Sequence, residues 1–197
     1  MIFDFNMSFT DDEWKIIIIE YLRVWTGIPL TTNGDYDIEN LKFFDGLLGT
    51  LLKHTEHLMK EYPSMLDQEF VDSWKYQGKM YRVIHPHYVP VDGSQEPRVI
   101  MPEVNYHRMI THWTSDYTFR GLLATAKIFD DEEYIILEAD TGEHLAFDVN
   151  SFRKANSVIE PYTQGENEII FPMYKENIKE YRMTIREFIE KKQEEML

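Results

Sequence analysis

Lys79-Met80-Tyr81-Arg82-Val83-Ile84 is the stretch on which the fold class turns. Its apolar residues suit an extended strand ended by His85-Pro86, whereas the period of the sequence before it is helical. Upstream, Trp14, Ile17, Ile18, Tyr21, Leu22 and Trp25 recur at the spacing of one buried helical stripe. Asp11 and Asp12 are placed to cap that helix and Gly27-Ile28-Pro29 to end it. Thr31 to Tyr36 is polar, with Gly34 inside, and reads as a loop. A second helix is expected from about Ile38 to Tyr62, with Leu41, Phe44, Leu48, Leu51, Leu52 and Leu58 on its apolar side and Pro63 as its stop. A helical third followed by strands is the pattern of an α+β domain.

Downstream of the deciding strand, Pro86 to Pro102 is rich in proline and turns at Asp92-Gly93-Ser94, as a long loop or loose hairpin would. Arg108 to Trp113 suits a strand, Tyr117 to Phe129 a short helix, and Glu133 to Ala139 a strand closed by Thr141-Gly142. Asn167 to Phe171 is read as the last strand, bounded by Pro172. The tail from Glu176 to Leu197 is read as a helix carrying Ile178, Tyr181, Ile185, Phe188 and Ile189. With no repeat and no linker, residues 1–197 are expected to form one domain: a helical part (1–65), a strand-rich part (75–175) and a C-terminal helix (176–197).

Composition narrows the classes of function. At 43% hydrophobic and 14% aromatic residues the chain has the means to build a core. The lack of cysteine rules out a thiol nucleophile, a cysteine-ligated metal and a disulfide framework. Ile16-Ile17-Ile18-Ile19 is far too short to span a bilayer, so the expectation is a cytoplasmic protein with no membrane partner. A formal net charge of −15 repels phosphate backbones at long range, which disfavours a nucleic-acid partner and suits a basic protein. A monomer is expected.

Three short segments carry the chemistry. Tyr81-Arg82 lies inside a strand; a strand arginine pairs with a carboxylate in most settings, and otherwise supplies a bidentate fork for a pyrophosphate. In Trp113-Thr114-Ser115-Asp116, Ser115 or Asp116 can cap the next helix, or the hydroxyl pair can orient a ribose or a carboxylate. Glu166-Asn167-Glu168 stands at the mouth of a strand, with both glutamates on one side. Like charges so placed repel unless they serve a cation or ligand, although two solvated glutamates on an edge strand are the simpler alternative.

Taken jointly, these segments resemble the arginine, serine and glutamate triad of the R-S-E class of mono-ADP-ribosyltransferases, which includes bacterial toxins and phage-encoded enzymes. Trp25-Thr26-Gly27 and Asp35 to Leu41 resemble the turn and helix that precede the triad. The resemblance covers roughly residues 20–172. Trp113 stands where the family has the first serine of Ser-Thr-Ser, Val83 stands where a glycine often follows Tyr-Arg, and the 86–102 segment has the look of an insertion.

The resemblance implies a mixed, mainly antiparallel two-sheet core beside the helical third, NAD⁺ as substrate, and a protein acceptor, arginine in particular. It implies that Glu168 stabilises the oxocarbenium-like ribose, with Glu166 meeting the acceptor. Arg82 with Tyr81 would hold the pyrophosphate, and Ser115 with Thr114 would orient Glu168 or the ribose. No metal is implied: His85, His87, His107 and His112 show no convincing ligand spacing. Two alternatives stay open, a degenerate transferase fold that binds a protein partner and, ranked below it, a glycoside hydrolase using the glutamate pair.

Overall fold

The structure, a computed structural model, describes residues 9–27, 38–84, 87–89, 98–100, 103–104, 111–118, 121–122, 133–156, 167–172 and 174–197. They fall into two compact units.

In the first unit, α1 (Asp11–Gly27) and α2 (Ile38–Glu61) form as their apolar period dictates. Trp14 and Ile18 are buried on α1, and Leu47, Leu48, Leu51 and Leu52 on α2, each large aliphatic contributing about 2 kcal/mol by leaving water. The cap of α1 differs from expectation. Thr10 Oγ1 accepts from the Glu13 N–H at 3.3 Å, and Glu13 Oε2 accepts from the Thr10 N–H at 2.7 Å. This reciprocal box leaves Asp11 and Asp12 inside the first turn, where their charge still suits the helix dipole. A 3-10 turn (Pro63–Met65) and α3 (Gln68–Asp72) follow, α3 being capped by Asp67 Oδ1 on the Phe70 N–H at 3.0 Å.

Strand β1 (Lys75–Tyr76) pairs with β7 (Ala146–Asp148), which leads into α4 (Val149–Ala155). Trp74 stacks on Phe147 at 5.5 Å and Phe147 packs on Phe152 at 5.4 Å, so the three rings make this unit's aromatic centre. Glu56 Oε1 accepts the Leu145 N–H at 2.7 Å, tying α2 to the approach of β7.

The second unit carries β2 (Lys79–Ile84), β5 (Thr111–Thr114), β6 (Tyr134–Asp140), β8 (Glu168–Phe171) and β9 (Ile178–Met183). They pair in the order β8-β5-β2-β6-β9. Strands β3 (His87–Val89) and β4 (Arg98–Ile100) form a separate antiparallel pair, which makes the proline-rich segment a hairpin. The pairs β1–β7, β2–β5, β2–β6, β3–β4, β5–β8 and β6–β9 are all antiparallel. Helices with an antiparallel sheet give the α+β class. Gly142, at φ +58, turns the chain after β6 as expected of Thr141-Gly142.

The tail requires a correction. Residues 176–197 are not one helix: a 3-10 turn (Lys175–Asn177) leads into β9, and only α5 (Ile185–Glu194) is helical. Ile178 and Tyr181 are three apart and so match a helical stripe, but in β9 they lie opposite Ala139 and Ile136. Pairing with β6 overrides the local period, and the outermost strand keeps Lys179, Glu180 and Arg182 between its apolar positions. Thr184 then starts α5 with a second capping box, closed by Glu187. Of the helix expected over Tyr117 to Phe129, Gly121 and Leu122 are helical, and 119–120 and 123–129 lie outside the described residues.

Tyr81, Val83, Tyr134, Ile136, Leu122, Ile185 and Phe188 form a core that joins the sheet to α5. Within it Glu138 and Lys192 are buried together as an ion pair. Tyr181 Oη donates to Glu138 Oε2 at 3.0 Å, Lys79 Nζ lies 3.3 Å from Oε1, and Lys192 Nζ also donates to Glu195 Oε2 at 2.7 Å. Burial alone would push the Glu138 carboxyl up, but its bonds from Lys192 and Tyr181 outweigh that and hold it below 4.5. Burial likewise works against the Lys192 ammonium, yet Glu138 and Glu195 raise it above the ordinary lysine range. No helix among the described residues is long and apolar enough to cross a membrane.

Candidate functional site

All three segments singled out in the sequence meet in the sheet, each through one residue. Strand β5 pairs with β8 so that Thr114 lies directly opposite Glu168, and on its other side Thr114 lies opposite Tyr81. Directly opposed residues share a face, so Glu168, Thr114 and Tyr81 project from the same side. Beyond this pair the Ser115 N–H donates to the Asn167 carbonyl at 3.1 Å, which extends the junction by one bond. Asn167 itself is at φ +46, the left-handed region that asparagine tolerates better than most residues. That turn starts β8 abruptly at Glu168.

Ile169, Ile170 and Phe171 are buried, as expected of an apolar run, and they carry Glu168 into the interior. Glu168 is only 7% exposed. Its Oε1 lies 2.5 Å from His112 Nδ1, while Oε2 is buried with no hydrogen-bond partner among the described residues. With the carboxylate as acceptor, the donor of this bond would be Nδ1–H. An acceptor left buried without a donor costs about 1–3 kcal/mol, and such an atom is where a ligand's donor or positive charge has most to gain.

Across the β5–β8 register from Glu168 stands Thr114. Its Oγ1 accepts from the Asp116 N–H at 3.1 Å, and Asp116 Oδ1 in turn accepts from the Thr118 N–H at 2.8 Å. This bond to the second residue on is an Asx turn, and since residues 117 and 118 are not helical it is not the helix cap anticipated for Asp116. Trp113 lies opposite Ile169 on the other face, its indole N–H donating to the Phe171 carbonyl at 3.2 Å.

Tyr81 and Arg82 part company. Tyr81 is a core residue, packed edge-on against Tyr117 at 6.0 Å and Phe188 at 5.8 Å. Arg82, its neighbour in the strand, starts from the face opposite Glu168, and its Nη1 donates to the His112 carbonyl at 2.6 Å. The arginine thus braces the backbone of the residue that holds Glu168. Glu166, Tyr162 and Gln164 lie outside the described residues.

His112 is the residue that the sequence reading missed, having weighed it only as a metal ligand. Two residues before Thr114 it shares that side chain's face, but its approach to Glu168 depends on the register of two strands far apart in the chain. No protein-family profile, curated protein or solved structure matches the chain.

Proposed function

We propose that this protein cleaves the bond between nicotinamide and ribose in NAD⁺ and transfers the ADP-ribose to a protein side chain, arginine being the expected acceptor. The observation that carries the reading is the register of Thr114 on Glu168, with an unpartnered carboxylate oxygen buried at the junction. Two segments chosen from the sequence for one chemistry thus supply a hydroxyl and a carboxylate side by side. On this reading the strands and α5 of the second unit belong to a core of the ADP-ribosyltransferase type.

As the glycosidic bond breaks, its electron pair leaves with nicotinamide and positive charge develops on the ribose. A fixed carboxylate in a place largely closed to water stabilises that charge without reorganising. Glu168 has this role, its Oε2 being the atom available to the ribose or its 2′-hydroxyl. Thr114, across the register from Glu168, and Ser115, one residue on, are assigned to orient Glu168 or the ribose. Glu166 is assigned to the acceptor, where a carboxylate receives a guanidinium and takes up its proton. Arg82 enters as a brace of β5, in place of the pyrophosphate grip that the family resemblance implies.

One observation favours a second reading, a catalytically silent fold of the same type that binds a protein partner: Arg82 starts from the face opposite Glu168. Release of nicotinamide from NAD⁺ by the purified protein, alone and with cell lysate, separates the two. The expected result is release by the wild type, lowered on the order of 10²–10³-fold in folded Glu168→Gln. Equal turnover by that variant would remove Glu168 from the chemistry, and no release under either condition would leave the binding module.

A further inference from the structure

We infer that His112 is a positioning residue for Glu168, holding Oε1 through Nδ1–H so that the carboxylate offers a single oxygen, Oε2, to a hydroxyl-bearing ligand. The inference rests on the NAD⁺ reading only for which hydroxyl this is. The pairing itself stands on geometry.

A carboxylate on a flexible side chain can present either oxygen and can swing about its last bonds. Glu168 does neither freely: its side chain is 9% exposed and that of His112 is 22% exposed, and Nδ1 lies 2.5 Å from Oε1. The ring is itself anchored, because the His112 carbonyl accepts from Arg82 Nη1 and the residue lies opposite Ile170 in the β5–β8 ladder. Histidine suits the task because the acceptor on one ring nitrogen fixes the tautomer. The remaining oxygen is the one left buried without a donor. A sugar hydroxyl meets that need directly and a developing cation on the same sugar meets it more strongly, so the arrangement favours the transition state over the bound substrate. Nothing in the sequence motif assigns His112 this part.

Two measurements test the proposal. The first, nitrogen NMR of the imidazoles in the unliganded protein, does not depend on activity. Neutral His112 is expected to carry its proton on Nδ1 in the wild type and to lose that preference in Glu168→Ala. A wild-type ring protonated on Nε2 instead would overturn the inference. The second compares nicotinamide release by His112→Asn and His112→Phe. The asparagine amide can still donate to Oε1, so kcat should stay within several-fold of wild type. Phenylalanine fills the space but cannot donate, and kcat should fall on the order of 10–100-fold with KM little changed, the scale known for hydrogen-bond partners that orient metal ligands.

Wild-type kcat in folded His112→Phe, with Glu168→Gln inactive, would show that His112 does not position the carboxylate. If the wild type releases no nicotinamide but shows the Nδ1–H tautomer lost in Glu168→Ala, the pairing stands and the NAD⁺ reading is the part that fails.

Discussion

Thr114, Glu168 and Gly121 show how much depends on single positions. The sequence gives good reason to select Glu168 and the Thr114-Ser115 pair, because hydroxyl and carboxylate chemistry is written in residue type. It gives no reason to select His112, because a ring's approach to a carboxylate in another strand is a property of register. Nor could it tell which face Arg82 takes, since one residue of register separates it from Tyr81. Gly121 makes a sharper local demand. A Cβ there would lie 2.3 Å from the Asp116 carbonyl oxygen and 2.5 Å from Asp116 Cβ, both fixed by the turn after Thr114. Gly121→Ala should therefore cost about 1–3 kcal/mol in denaturant unfolding, with the loss falling on the Thr114–Asp116 turn. An unchanged midpoint would mean that the turn yields easily, and hence that it does not hold Thr114 in place.

Among the elements, the helices of the first third and strands β2, β6 and β8 were legible because each is long or strongly apolar for its length. The misreadings share one cause. Thr10-Asp11-Asp12-Glu13 and Thr184-Ile185-Arg186-Glu187 both carry the Ser/Thr-x-x-Glu signature, and both form reciprocal capping boxes. Giving Thr184 its due splits the tail at the observed place, into β9 before it and α5 after it. The pairing that makes 178–183 a strand comes from β6, which no local pattern in the tail announces. Short elements such as β1, α3 and α4 fall below what a periodic pattern can resolve, yet Asp67 and Asp148 cap the two helices in ordinary fashion. Thr184→Ala should cost about 0.5–2 kcal/mol, and amide exchange should rise first at the start of α5. Faster exchange spread evenly over the unit would show that the cap does not act locally.

For the whole molecule, charge bears on the proposed acceptor and on the response to pH. On the proposed reading, a net charge of −15 suits a basic protein surface as the acceptor environment. Inside, the Glu138–Lys192 pair couples stability to pH with a definite sign. The Glu138 carboxyl is held below 4.5 in the folded protein, so its contribution is present above that value and is lost as pH falls through the lowered one. Lys192 is raised above 10.5, so its contribution is present below that value and is lost as pH rises through the raised one. Denaturant midpoints measured across pH should accordingly show this pair's share intact at neutral pH and failing at both extremes. Lys192→Met, which leaves a buried carboxylate without its main partner, should cost roughly 3 kcal/mol at neutral pH. Adding Glu138→Leu should restore much of that. A double variant no more stable than the single one would mean that the pair is not the source of the loss.

Transfer of ADP-ribose at Glu168 is tested by incubating cell lysate with NAD⁺ labelled in its adenylate half. Wild-type protein is expected to place label on a protein band, and folded Glu168→Gln is expected to place none. The linkage should resist acid and break in neutral hydroxylamine, as an arginine adduct would. Label recovered on nucleic acid would contradict the protein acceptor, and no transferred label with wild-type protein would contradict the claim itself.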